Sequence, residues 1–175
     1  MQKSSVKILS VSAALLLSAC SAETYKEAEV TCPSILIAKD TAEITKIVDN
    51  ETLWTAGISN YKGYCSFNKT KDELELNLSI DFTAELIKPV FERGFTLKYY
   101  VAAPALYPAA VGKQNFYLDV VFPEDKDKIN IRKKSIDLSF PLLNENGEEV
   151  DIKDIYVGIQ LDKEQLDFNR SKQFK

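Results

Sequence analysis

This 175-residue chain contains three cysteines and 26 acidic side chains but no histidine. The Ser-His-Asp triad, the His-paired cysteine nucleophile and the His-bearing zinc sites therefore fall away together. Carboxylates alone support acid–base work on glycosidic bonds, which requires two of them converging in a cleft. Asp72 with Glu73 and Asp151 with Asp154 are neighbours of that kind, but with 26 acids such pairs are expected anyway. The run Asn144, Glu145, Asn146, Glu148, Glu149 and Asp151 gathers oxygen ligands around Gly147 as a calcium loop would. It lacks the alternate-position spacing of an EF-hand loop, and a solvated hairpin turn explains it better. No catalytic residue, cofactor or metal ligand is assigned. The expectation is a non-enzyme, with a carboxylate-based extracytoplasmic hydrolase as the alternative.

Cys20 is set apart by what precedes it. Lys3 and Lys7 are positive, Ile8 to Leu17 is an uncharged apolar run, and Ser18-Ala19 are small. These are the three zones of a secretory signal peptide. The apolar core of about ten residues falls short of the roughly 20 that span a bilayer, so the leader is cut rather than retained. Leu17-Ser18-Ala19-Cys20 resembles the lipobox of bacterial lipoproteins. That resemblance implies diacylglycerol on the Cys20 thiol, cleavage before it, and acyl chains such as palmitate. Ser21, where an Asp would favour inner-membrane retention, implies the periplasmic face of the outer membrane, with the inner membrane as the alternative. At about 0.8 kcal/mol per buried methylene, two or more chains give the lasting attachment that one does not.

Export also decides how Cys32 and Cys65 are read. A lone pair in an oxidising compartment is expected to form a disulfide, and closing its loop of about 34 residues restricts the unfolded chain by roughly 3–4 kcal/mol. The alternative is two free thiols, although neither a histidine nor a Cys-x-x-Cys spacing supports redox work. The organisation expected is a signal peptide over 1–19, a lipidated Cys20 with a flexible tether to 31, one domain over 32–170, and a polar tail over 171–175. Without the leader and its two lysines, 156 residues remain with 20 basic and 26 acidic side chains. That is enough chain for one core. Its net charge of −6 argues against nucleic acid and against direct adhesion to anionic phospholipid.

The elements that would position these residues are strands. Leu74, Leu76, Leu78, Ile80 and Phe82 alternate with Glu73, Glu75, Asn77, Ser79 and Asp81 in a strict period of two, which puts all five apolar side chains on one face. Similar alternation covers 95–101, 116–122, 136–142 and 155–161. Residues 35–38 read as a short buried strand, and 42–48 as a strand or a capped helical turn, strand being preferred. Residues 54–59 and 61–67 read as two pieces around a bulge near Gly63. Glu85 to Gly94 reads as a connection or bulged edge, and Pro123 to Lys134 as a charged loop holding Ile129 and Ile131. One or two helical turns are expected over Asp162 to Phe168. Seven to nine one-sided strands without long helices must bury their faces on a second sheet. The fold expected is all-β: an antiparallel β-sandwich, immunoglobulin-like or of a related Greek-key type, with a flattened barrel as second choice.

Leu17-Ser18-Ala19-Cys20, Cys32-Pro33 before an apolar strand, Tyr61-Lys62-Gly63-Tyr64-Cys65 and the closing stretch 159–166 together resemble a group of bacterial envelope lipoproteins without an assigned activity. The resemblance spans nearly the whole mature chain and implies no catalytic residue. The candidate partner-binding feature is the uncharged loop containing Pro104, Leu106, Tyr107 and Pro108, with Tyr99, Tyr100 and Tyr117 near it in the chain. Prolines limit the entropy lost on docking, tyrosines give rigid amphipathic contact, and an uncharged loop desolvates cheaply. The preferred reading of the loop itself tucks Leu106 and Tyr107 under the sandwich as a plug. The partners expected are the membrane, through Cys20, and an envelope protein or glycan.

Overall fold

The structure is a computed structural model that describes residues 31–89 and 93–172. The leader, Cys20 and the residues up to 30 lie outside the described residues. Among the described residues eight strands form the fold: β1 Ser34–Ile37, β2 Glu43–Val48, β3 Glu51–Asn68, β4 Glu73–Leu86, β5 Gly94–Ala102, β6 Lys113–Val121, β7 Lys128–Pro141 and β8 Asp154–Ile159. One helix, α1 (Lys163–Lys172), follows. The first sheet has the order β1-β8-β5-β6 and the second β2-β3-β4-β7. All pairings are antiparallel except β1 with β8. The β5–β6 hairpin lies in one sheet while β4 and β7, which flank it in sequence, pair in the other, a Greek-key crossover between two packed layers.

The alternating face of β4 is the floor of the core. Leu74, Leu76, Leu78, Ile80 and Phe82 are all essentially buried, and the strand continues the pattern through Ala84 and Leu86. The first sheet answers with Leu97, Tyr99 and Val101 of β5, Leu118 and Val120 of β6, and Ile155, Val157 and Ile159 of β8. Tyr99 stacks on Phe116 of the neighbouring strand and meets Phe82 of the opposite sheet edge-on, with ring centroids 5.4 and 5.1 Å apart. At one end of the sandwich Trp54 lies flat on Phe95 at 3.7 Å, closing the gap between the layers.

Both neighbours of β4 are bulged, and this corrects two sequence expectations. β3 is one continuous strand of 18 residues, with its irregularity at Ile58–Asn60 rather than near Gly63. The bulge shifts the inward phase from Trp54, Ala56 and Ile58 to Tyr61, Cys65 and Phe67. Gly63 serves packing instead, since a Cβ there would run into the Ile35 side chain. β7 begins at Lys128, so Ile129 and Ile131 belong to a strand and face Ala84 and Phe82 across the ladder. A second shift, with Ser135 at φ 49°, moves the phase to Ile136, Leu138 and Phe140. A bulge adds one residue to one strand and so reverses which residues point inward, which made the first half of β7 look like a loop.

The remaining differences are local. β1 is a half-exposed edge strand, not a buried one, because only β8 flanks it. Residues 43–48 form β2, the preferred reading, and the capped helical turn over that stretch is not found; an uncapped 3-10 turn over 39–41 precedes the strand. The helix is longer than expected and runs past residue 170. Asp162 and Gln165 cap its start reciprocally, the Gln165 N–H donating to Asp162 Oδ1 at 2.8 Å. Buried Asn169 then donates to the carbonyls of Asp40 and Glu43 at 3.0 and 2.8 Å, while Arg170 and Lys172 pair with Asp40 and Glu43. These contacts lay α1 beside the β2 edge.

Candidate binding surfaces

Cys32 and Cys65 form a disulfide with Cα atoms 5.9 Å apart. It ties the residues leading into the first sheet to β3 of the second, so the chain is fastened where it enters the sandwich. The carboxylates singled out in the sequence do not converge on a site. Asn144 Oδ1 accepts the N–H groups of Asn146 and Glu148, and its amide donates to Glu148 Oε2 at 2.8 Å. The oxygens of the acidic turn thus order their own backbone around Gly147 at φ 78°. Among the described residues no three of His, Cys, Asp and Glu form a metal-holding group. Asp151 pairs with Lys153 at 3.3 Å rather than with Asp154. Asp81 receives two bonds from Arg132, at 2.6 and 2.9 Å, and these hold its carboxyl below the ordinary range. A general acid needs the opposite shift.

The uncharged loop separates its candidate residues. Pro104–Leu106 and Ala110–Gly112 are 3-10 turns, and the N–H groups of Ala103, Leu106, Tyr107, Ala109 and Gly112 all donate to carbonyls within the loop. Gly112 permits this closure, since a Cβ there would stand 3.0 Å from the Leu106 backbone. Leu106 is 7% exposed and plugs the core beneath, whereas the adjacent Tyr107, joined to Pro108 by a cis peptide, is 80% exposed. Neither reading of the pair holds whole: the loop is a plug through Leu106 and a projection through Tyr107. Pro104 and Pro108 are exposed beside it. Along the rim, Leu106, Tyr107, Pro108 and Val111 form one wall of an open groove of about 650 Å³, with Leu143, Val150 and the acidic turn as the other.

Tyr99 is removed from any exposed surface. It is fully buried, its hydroxyl finds no hydrogen-bond partner among the described residues, and burial pushes its pKa up to about 12. Tyr117 lies elsewhere again, on the solvent face of the first sheet about four strand residues, or roughly 13 Å, from the loop. There it is 63% exposed, with the Lys98 ammonium 5.8 Å from its ring. Tyr100 shares that face. Its ring leans over Gly158, its hydroxyl is 2.9 Å from Thr41 Oγ1, and Lys113 caps it at 4.4 Å. Tyr156 opposes Ala102 on the same face. Lys98, Lys113 and Tyr156 were not singled out in the sequence. The available signal was the alternation itself, which sends Lys98 and Tyr100 outward wherever Tyr99 goes inward.

The outer strand of this face, β6, is also the most open edge. β1 has four residues, β2 is flanked by α1, and β7 is bulged, while β6 pairs with β5 over nine residues without irregularity and has no strand on its other side among the described residues. Long regular edges are templates for another strand. Comparison of the chain with family models, curated proteins and solved structures finds no match.

Proposed function

We propose that this chain is a bacterial envelope lipoprotein, held by lipid on Cys20, whose sandwich is a non-catalytic module that binds or positions another envelope component. The observation that supports it is the outer face of the first sheet, where exposed Tyr117 stands on β6 at an edge without a strand partner among the described residues, with Lys98, Lys113 and half-buried Tyr100 and Tyr156 on the same face. Tyrosines and cation–π-held lysines give rigid, amphipathic contact, and a free regular edge gives main-chain hydrogen bonds. An extended segment of an envelope protein, adding to β6 and covering Tyr117, uses both features at once. A flat aromatic face beside an open edge suits docking better than turnover, which needs a cleft with converging groups.

A photo-crosslinking residue in place of Tyr117, introduced into the full chain in cells, tests the reading. A discrete protein adduct is expected at this position and not at Tyr64, which is 61% exposed on the other sheet. Equal labelling at both positions, or none at Tyr117, would reject the surface. The anchor has its own test. Mass spectrometry should find acylated Cys20 as the mature N-terminus, and Cys20→Ala should abolish lipidation. Cleavage elsewhere, or a free Cys20, would reject that part alone.

A further inference from the structure

The chain enters the sandwich at the end that carries the Tyr107 loop. β1 runs parallel to β8 with Ser34 opposite Asp154, so entry is beside the start of β8. β5 runs antiparallel to β8 with Ala102 opposite Tyr156, so β5 delivers its loop to that same end. Thr31 lines one groove with Leu142, Leu143 and Val150, and the loop lines the next groove with Leu143 and Val150. The end is thus one continuous surface from the entry point to Tyr107. Trp54, opposite Leu86, and Val121, opposite Gly94, mark the far end.

Eleven peptide steps separate Cys20 from Thr31, a reach of at most about 40 Å even when fully extended. β3 alone, at 18 residues, is about 60 Å long. If Cys20 carries lipid, the entry end is therefore kept within about 40 Å of the bilayer, and the far end cannot take its place without the domain first lying down. The loop facing the lipid has the chemistry of an interface. Ala102 to Gly112 holds no charge, and the N–H groups of Ala103, Leu106, Tyr107, Ala109 and Gly112 are spent on the loop's own carbonyls. Entry into a poorly hydrated layer thus strands few donors. Tyr107 projects a ring with a polar tip, the residue type that settles at the headgroup level. The acidic turn beside it, with Glu145, Glu148 and Glu149 exposed, opposes an anionic lipid surface and tolerates a zwitterionic one.

We propose that the Tyr107 loop is a second membrane contact, seated in the headgroup layer of a zwitterionic lipid surface and holding the sandwich upright, with the Tyr117 face turned sideways toward its partner. The inference rests on lipidation of Cys20. One exposed tyrosine binds too weakly to act alone, and the anchor supplies the local concentration that makes the contact persist.

The test uses the full lipidated chain reconstituted in phosphatidylcholine vesicles whose acyl chains are brominated, a short-range quencher of tryptophan. The native protein is its own reference, because its single tryptophan, Trp54, lies at the far end. In Tyr107→Trp the added emission should be roughly halved by brominated lipid, while the native protein and Val121→Trp are unaffected. Replacing part of the lipid with phosphatidylglycerol should weaken the quenching. Unquenched emission from Tyr107→Trp, in a preparation whose N-terminal mass shows acylated Cys20, overturns the proposal. So does equal quenching of Val121→Trp. A photo-crosslinker at position 107 that yields a protein adduct instead of a lipid adduct in native membranes overturns it in favour of a protein partner. A mass showing no lipid on Cys20 removes the anchor reading and this inference together, by a readout independent of fluorescence.

Discussion

Replacing Tyr99 by Phe removes one oxygen from the middle of the core and keeps the ring between Phe82 and Phe116. That oxygen is buried without a partner among the described residues, a situation that costs about 1–3 kcal/mol. The space it leaves, roughly 10–15 Å³ at about 24 cal/mol per Å³, returns only about 0.3 kcal/mol of that as cavity penalty. Tyr99→Phe should therefore stabilise the domain by about 1–2 kcal/mol, a rise of roughly 3–6 °C in Tm for a chain of this size. The hydroxyl also makes stability depend on pH. Its pKa is raised by burial to about 12 from 10.0. The folded chain therefore keeps this proton over a range where the unfolded chain loses it. The associated stability is fully present below pH 10 and drains away between pH 10 and pH 12, at up to about 1.4 kcal/mol per pH unit. Tyr99→Phe lacks that drain, so urea unfolding of the two proteins side by side should show their difference widening across this window. A variant destabilised by more than about 1 kcal/mol, or a difference flat from pH 9 to 12, would refute the reasoning by showing that the hydroxyl is satisfied.

Replacing Cys32 and Cys65 together with Ser should lower stability by about 3–4 kcal/mol, the value for a loop of this length, and leave the far-UV spectrum of the sheets intact. A loss below about 1 kcal/mol would show that the bond constrains little. Gly158→Ala puts a methyl 2.5 Å from the Tyr100 hydroxyl and against Thr41 Oγ1, so it should cost about 1–3 kcal/mol in urea unfolding and displace the Tyr100 ring. Tyr100→Phe in the same background should recover part of that loss. NMR titration should find the Asp81 carboxyl below the ordinary carboxylate range, with Arg132→Gln moving it back up. Because the folded pKa is depressed, the stability linked to this pair is present above the unfolded carboxylate range and lost as pH falls through the folded value.

The sequence alone determined the fold class, because a strict period of two is incompatible with a helix and a one-sided strand must find a second layer. The face of β4 was readable residue by residue, and so was the inward set of β5, since no bulge interrupts either run. The pairing of Cys32 with Cys65 was read from their being the two thiols left once Cys20 is set aside as the expected anchor. What tertiary structure decided begins where the period breaks. The bulges at Ile58–Asn60 and around Ser135 reverse the inward phase within a strand, and nothing local distinguishes such a reversal from a loop. Nor could the sequence separate Leu106 from Tyr107. Leu106 ends a 3-10 turn and Tyr107 leaves it in extended backbone, and which of the two meets the core depends on how the turn sits against β7 and the acidic hairpin. The same holds for Tyr107 and Tyr117. They are ten residues apart in the chain, but the hairpin places one at the end where the chain enters and the other on the open face of a sheet. Proximity in sequence told which residues were available for binding, and only the register of β5, β6 and β8 told which way each one looks.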